Sequence, residues 1–191
     1  MNHEFLWNKK RLWFWILLGV AFVLSFVTPL RLDEGGELTC FSMLVICLIG
    51  YFLGGSKGVL AAVIFGVLRF LVGFPYADNL AEIIDDLVGF GLLGACGVLL
   101  QKKKILQFKN AFLLAALLRY AESVWNCIFF YYRTDMSLLW NIKYGFVYCA
   151  GYIGAELIIT YIILSVPVVM EAVDFLKYVV THPYDDDLDT Y

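Results

Sequence analysis

Histidine is nearly missing from this chain: His3 and His182 are the only two, and each lies near an end of the 191 residues. The five cysteines, Cys40, Cys47, Cys96, Cys127 and Cys149, are scattered through apolar segments, with no CxxC pair and no histidine at ligand spacing. That pattern argues against a metal site and against the disulfide framework of a small secreted domain, and it leaves the thiols as small packing residues. No metal and no cofactor are expected. A GxxxxGK[ST] string is also absent, so any ATP-driven step has to come from partners. The net charge is only −3 and is concentrated in the tail DDDLDTY, read as a solvated end, and there is no basic footprint for nucleic acid. Internal repeats are lacking too, which counts against an inverted-repeat secondary transporter.

Apolar residues are abundant. They make up 62% of the chain, with a mean hydropathy of +0.79, against roughly 45 to 50% in a soluble domain. They fall into six runs, Leu12 to Leu30, Leu38 to Leu53, Gly58 to Val72, Leu80 to Leu100, Ala111 to Tyr132 and Gly145 to Val168. Each approaches or exceeds the ~17 to 25 residues of a membrane-spanning helix, the second and third being short. The expected fold is therefore an all-α integral membrane protein with six transmembrane helices in one domain over residues 12–168. The first run is too long for a signal-peptide core and has no small-x-small cleavage site behind it, so it is expected to stay as a helix. Lys9, Lys10, Arg11, Lys57, Lys102, Lys103, Lys104, Lys109 and Lys177 fall on one side of the zigzag, against Arg31, Arg133 and Lys143 on the other. That bias makes residues 1–11 a cytoplasmic N-terminus and residues 169–191 a cytoplasmic segment. Pro167 is expected to end the last span, leaving VVMEAVDFLKYVV as an amphipathic helix on the inner surface.

Charge inside the apolar runs then demands explanation. Glu82, Asp85 and Asp86 are spaced i, i+3, i+4 and share one helical face. An acid at the bilayer centre costs about 2.5 to 3.5 kcal/mol, so three facing lipid there would cost roughly 10 kcal/mol. They must face protein, a water-filled cavity or a bound solute, or lie near the rim. Arg119, Glu122, Ser123 and Asn126 make an inward stripe on the fifth run, and Tyr144, Tyr148, Tyr152 and Glu156 recur every four residues on the sixth. Arg69 lies late in the third run, toward the same outer end. Structural ion pairs of Arg69 or Arg119 with Asp85 or Glu122 would explain single residues. The set as a whole suits a cavity for a flat, cationic or amine-bearing ligand, bound by charge pairing and stacking. Ala21 and Ser25 stand in small-xxx-small spacing, which permits close approach by another helix.

The strings GGELT (Gly35 to Thr39), AEIIDDLVGFGLLGACG (Ala81 to Gly97), LLRYAESV (Leu117 to Val124) and YGFVYCAGYIGAELIIT (Tyr144 to Thr160), in this order, resemble the thiamine-specific S-components of energy-coupling factor transporters. The resemblance covers roughly residues 12 to 170. It implies a six-helix bundle that captures thiamine or a thiamine precursor from outside, closes an outer loop over it, and joins a membrane coupling subunit and two ATPases in a bacterial cytoplasmic membrane. It places substrate contacts at Asp85, Asp86, Arg69, Ser123, Tyr144, Tyr148, Cys149 and Trp125, to which the shared helical face adds Glu82, and coupling-subunit docking at Ala21 and Ser25. Four positions depart from the family pattern. Asp86 stands where a tyrosine is usual, Ser123 for a histidine, Cys149 for an asparagine and Arg69 for a glutamine. Other readings are an S-component for a different small solute, a membrane scaffold, and an integral-membrane enzyme using Asp85 and Asp86 as acid and base.

Overall fold

The computed structural model describes residues 2–32, 36–73, 83–102, 106–130 and 132–182. Among them the chain forms seven helices and one two-stranded hairpin. Helix α1 covers Asn2–Leu24, α2 Ser42–Leu53 and α3 Gly55–Gly73. Helix α4 consists of three consecutive pieces, a π-helical turn at Asp85–Gly89 followed by α-helical Phe90–Leu93 and Ala95–Lys102. Helix α5 is Phe108–Phe130, α6 runs over Leu138–Leu164 with a π-helical turn at Ala150–Gly154, and α7 is Pro167–Thr181.

Three of these helices are long and apolar enough to cross a membrane: Gly55–Val72, Phe108–Phe130 and Leu138–Leu164. The 12-residue α2 is apolar but spans only ~18 Å at 1.5 Å per residue, less than a ~30 Å hydrocarbon layer. It is the central helix instead, with Met43, Ile46, Cys47, Ile49 and Gly50 all buried. Small residues let its neighbours approach: a Cβ built on Gly50 would lie 2.9 Å from the Gly97 Cα on α4. At its end Gly54 adopts φ 99°, a conformation costly for other residues, and turns the chain directly into α3.

The first run differs from expectation at both ends. Lys9, Lys10 and Arg11 lie inside α1 because lysine and arginine are good helix formers whatever their hydropathy. The helix stops at Leu24, where Pro29 and the strand pair take over. Strand β1 (Leu30–Arg31) pairs antiparallel with β2 (Glu37–Leu38) in the register Leu30↔Leu38 and Arg31↔Glu37. Ala21 and Ser25 are both 0% exposed and line α1's inner side with Phe14 and Leu18. Their small side chains pack within this chain. The outer stripe of α1 is Leu12, Trp15, Ile16, Gly19, Val20 and Val23.

The helix expected beyond Pro167 is present as α7, with proline at a first-turn position where its missing N–H is harmless. It straps the end of the bundle opposite the hairpin. Tyr51 Oη donates to Asp174 Oδ1 at 2.6 Å, Lys177 Nζ lies 3.8 Å from the Tyr51 ring centre, and Lys9 Nζ donates to the His182 carbonyl at 2.9 Å. Val173 and Val180 bury its inner face. The tail DDDLDTY, Lys103 and Lys104 lie outside the described residues.

Candidate functional site

At the hairpin end, the two aspartates that opened the fourth run part company. Both sit in the π turn of α4, and adjacent helical residues point about 100° apart, so they meet different neighbours. Asp85 faces α5. Ser123 Oγ donates to its Oδ1 at 2.5 Å, and Arg119 Nη2 lies 3.9 Å from its Oδ2. Arg119 is 94% buried by its 6% exposure, with its guanidinium 3.5 Å from the centre of the Phe90 ring, a cation–π contact strengthened by the absence of water. Its Nε and Nη1 find no hydrogen-bond partner among the described residues. Glu122 adds a second acid, with Oε2 at 3.5 Å from Ser123 Oγ and a buried Oε1 likewise without a partner. Two carboxyl groups and one guanidinium thus gather around Ser123.

Asp86 faces α3. Arg69 Nε lies 3.9 Å from Asp86 Oδ1, Arg69 Nη2 lies 3.6 Å from Glu37 Oε2 on the hairpin, and Nη1 donates to the Ser25 carbonyl at 3.3 Å. The two arginines have therefore divided the two aspartates between them.

Helix α6 supplies a ladder of rings. Trp140 stacks on Tyr144 at 5.1 Å between centres and 8° between planes, Tyr144 on Tyr148 at 5.7 Å and 20°, and Tyr152 meets Tyr148 edge-on at 5.6 Å. Spacing of four residues drifts about 40° per step in an α-helix. The π turn at Ala150–Gly154 takes up one residue more per turn and offsets that drift where Tyr152 follows Tyr148. Cys149 is buried beside Val124 and Cys127 of α5, and the Tyr152 hydroxyl donates to its Sγ at 3.8 Å. Over the ladder sits the hairpin: the Gly36 N–H donates to Tyr148 Oη at 2.8 Å. A Cβ on Gly36 would lie 2.8 Å from that oxygen and 3.0 Å from Tyr152 Cδ1, so a larger residue there would force the hairpin or the tyrosine rings to shift.

Glu156 ends the tyrosine series but serves α2. Its Oε1 accepts the Met43 N–H at 3.3 Å, and its Oε2 accepts the Thr39 hydroxyl at 2.7 Å. Trp125 stands apart: it is 49% exposed on the side of α5 away from Ser123 and Asn126, and packs on Phe129 at 4.6 Å. Glu82 lies outside the described residues. The structure brings Asp85, Ser123, Arg119 and Glu122 into one cluster, Arg69, Asp86 and Glu37 into a second, and Tyr144, Tyr148 and Cys149 into the wall between α5 and the hairpin. Gly36 and Glu37 were not singled out by sequence reasoning, although they lie in the GGELT string; the tight glycine beside an acid was the available signal.

A family model described as thiamine transporter protein matches residues 14–175 of this chain. A search of curated proteins found no match.

Proposed function

We propose that this chain, which belongs to the thiamine transporter protein family, is the ligand-binding subunit of an energy-coupling factor importer, capturing thiamine or a thiamine precursor from the extracellular side. The observation that carries the reading is Asp85, held by Ser123 and Arg119 close to a wall of stacked rings that the hairpin covers. Thiamine joins a flat aminopyrimidine to a cationic thiazolium. A carboxylate with a second acid beside it matches the positive ring, and stacked tyrosines match the flat one.

In this reading the chain crosses the bilayer six times, with the short α2 as the second crossing, shielded from lipid inside the bundle, and both termini are cytoplasmic, since the basic residues gather at the end strapped by α7. The membrane would be a bacterial cytoplasmic membrane. Energy would come from two ATPases acting through a membrane coupling subunit. That subunit would meet the outer stripe of α1 around Gly19, where a Cβ would touch nothing, because Ala21 and Ser25 face inward.

The test is equilibrium binding of thiamine to the purified protein in detergent, followed by tyrosine and tryptophan fluorescence. Asp85→Asn removes a charge-assisted contact worth about 1.5 to 3 kcal/mol, so affinity should fall roughly 10- to 150-fold. The variant's circular dichroism and elution volume should match the parent's. Absence of binding by the parent to thiamine and to its pyrimidine alcohol precursor at millimolar concentration would sink the proposal.

A further inference from the structure

Arg69 reaches three separate segments with three nitrogens: the end of α1 through the Ser25 carbonyl, strand β2 through Glu37, and the π turn of α4 through Asp86. A planar guanidinium with its fork of donors is suited to such bridging in a way that a lysine is not. We propose that Arg69 and Asp86 are positioning residues rather than ligand contacts: with Glu37 they form a clasp that holds the hairpin closed over the ligand site, and the bound ligand leaves when the clasp opens. The inference rests on the reading of the Asp85 cluster and tyrosine wall as the ligand site.

The hairpin has little to hold it by itself. Two residue pairs are too few for an independently stable ribbon, so its place is set by what it touches. One contact is the Gly36 N–H on Tyr148, a residue of the wall. The next residue is Glu37, and its partner Arg69 is fixed in turn by Asp86. Loss of the Arg69–Glu37 attraction therefore loosens strand β2 together with Gly36, the residue before it, and uncovers Tyr148. The clasp is weak enough to open. Its pairs are 3.6 and 3.9 Å long, and its side chains are 19 to 25% exposed, so water and salt compete for them. Asp86 meanwhile points away from Asp85's neighbours toward α3, which removes it from the charge that the ligand meets.

The experiment measures thiamine dissociation by stopped flow from the full-length protein, with the neutral pyrimidine alcohol as a second probe. Arg69→Gln and Asp86→Asn should each speed dissociation roughly five- to thirty-fold while association changes little. The double variant should be no faster than Arg69→Gln alone, because both remove one device. Rising salt should speed dissociation of the neutral probe from the parent and leave its dissociation from Arg69→Gln unaffected. Reversal of the charges in Glu37→Arg with Arg69→Glu should recover part of the lost retention, which a merely structural role would not do. Should Arg69→Gln fail to fold, Arg69→Lys, which keeps the charge but not the fork, should give an intermediate rate. Selective weakening of the cationic probe over the neutral one by Asp86→Asn would overturn the proposal, since that is the mark of direct ligand contact. Hydrogen exchange of residues 36–40 without ligand separates the two readings. Faster exchange in Arg69→Gln supports the clasp even if thiamine is not the ligand, and unchanged exchange overturns it.

Discussion

Phe41, the residue before α2, has φ 61° and offers no side chain to cap the helix, so the amides of the first turn need another partner. Glu156 provides it from α6, where a carboxylate at a helix N-terminus is favoured by the unpaired N–H groups and their aligned dipoles. Glu156→Ala would leave the Met43 amide short of a buried acceptor, at about 1 to 3 kcal/mol, while the Thr39 hydroxyl keeps Ser42 Oγ at 2.7 Å as a partner. The expected outcome is a melting temperature lower by roughly 2 to 12 °C, read by fluorescence in detergent, with Glu156→Gln losing less because its carbonyl still accepts one bond. Equal melting of Glu156→Ala and parent would show that α2 does not depend on this cap. The spacing of Tyr144, Tyr148, Tyr152 and Glu156 was legible in the sequence, but Glu156's partner Thr39 is 117 residues away and was not. Ala21 and Ser25 teach the same point, since small-xxx-small spacing announces a close helix contact without saying whether the partner belongs to the same chain.

At the scale of elements, hydropathy located every apolar run, but it measures preference for lipid rather than helix ends. It therefore missed the charged first turns of α1, and it ran α2 back into the hairpin. It also could not see the two π turns, at Asp85–Gly89 and Ala150–Gly154, because a π turn differs from an α turn by hydrogen-bond register and leaves the composition unchanged. Both lie at the candidate site, one aiming the aspartates and the other the tyrosines. The seat of the hairpin on this wall can be tested through Gly36. An alanine there would press its Cβ into Tyr148 Oη, so thiamine affinity should fall about tenfold or more as the hairpin is displaced. Tyr148→Phe removes the acceptor of the Gly36 amide and should cost about 1 kcal/mol, or roughly fivefold. Gly36→Ala should then cost less in a Tyr148→Ala background, where the obstructing ring is gone. If the Gly36→Ala penalty is the same in both backgrounds, the hairpin does not rest on Tyr148.

For the whole molecule, consecutive helices reverse direction, so Lys9 of α1, Tyr51 of α2 and His182 after α7 gather at one end, and Ser25, Glu37, Arg69 and Asp86 at the other. The class of fold followed from composition, since 62% apolar residues exceeds the roughly 45 to 50% of a soluble domain, and the family match over residues 14–175 agrees with it. Orientation rests on a different physical quantity, the cost of carrying lysine and arginine across the bilayer during insertion. By that rule the α7 end would be cytoplasmic and the hairpin end external, and accessibility to an impermeant maleimide distinguishes the two orientations. Of the five native thiols, four are buried and only Cys40 is partly accessible, so a Cys40→Ser background is quiet enough to read a single introduced cysteine. Asp135→Cys, exposed between α5 and α6, should label in intact cells, whereas Thr181→Cys at the end of α7 should label only after the membrane is permeabilised. The reverse pattern would place the ligand site on the cytoplasmic side and end the case for uptake from outside. Labelling of both positions in intact cells would mean that α6, the one span between them, does not carry the chain across the membrane.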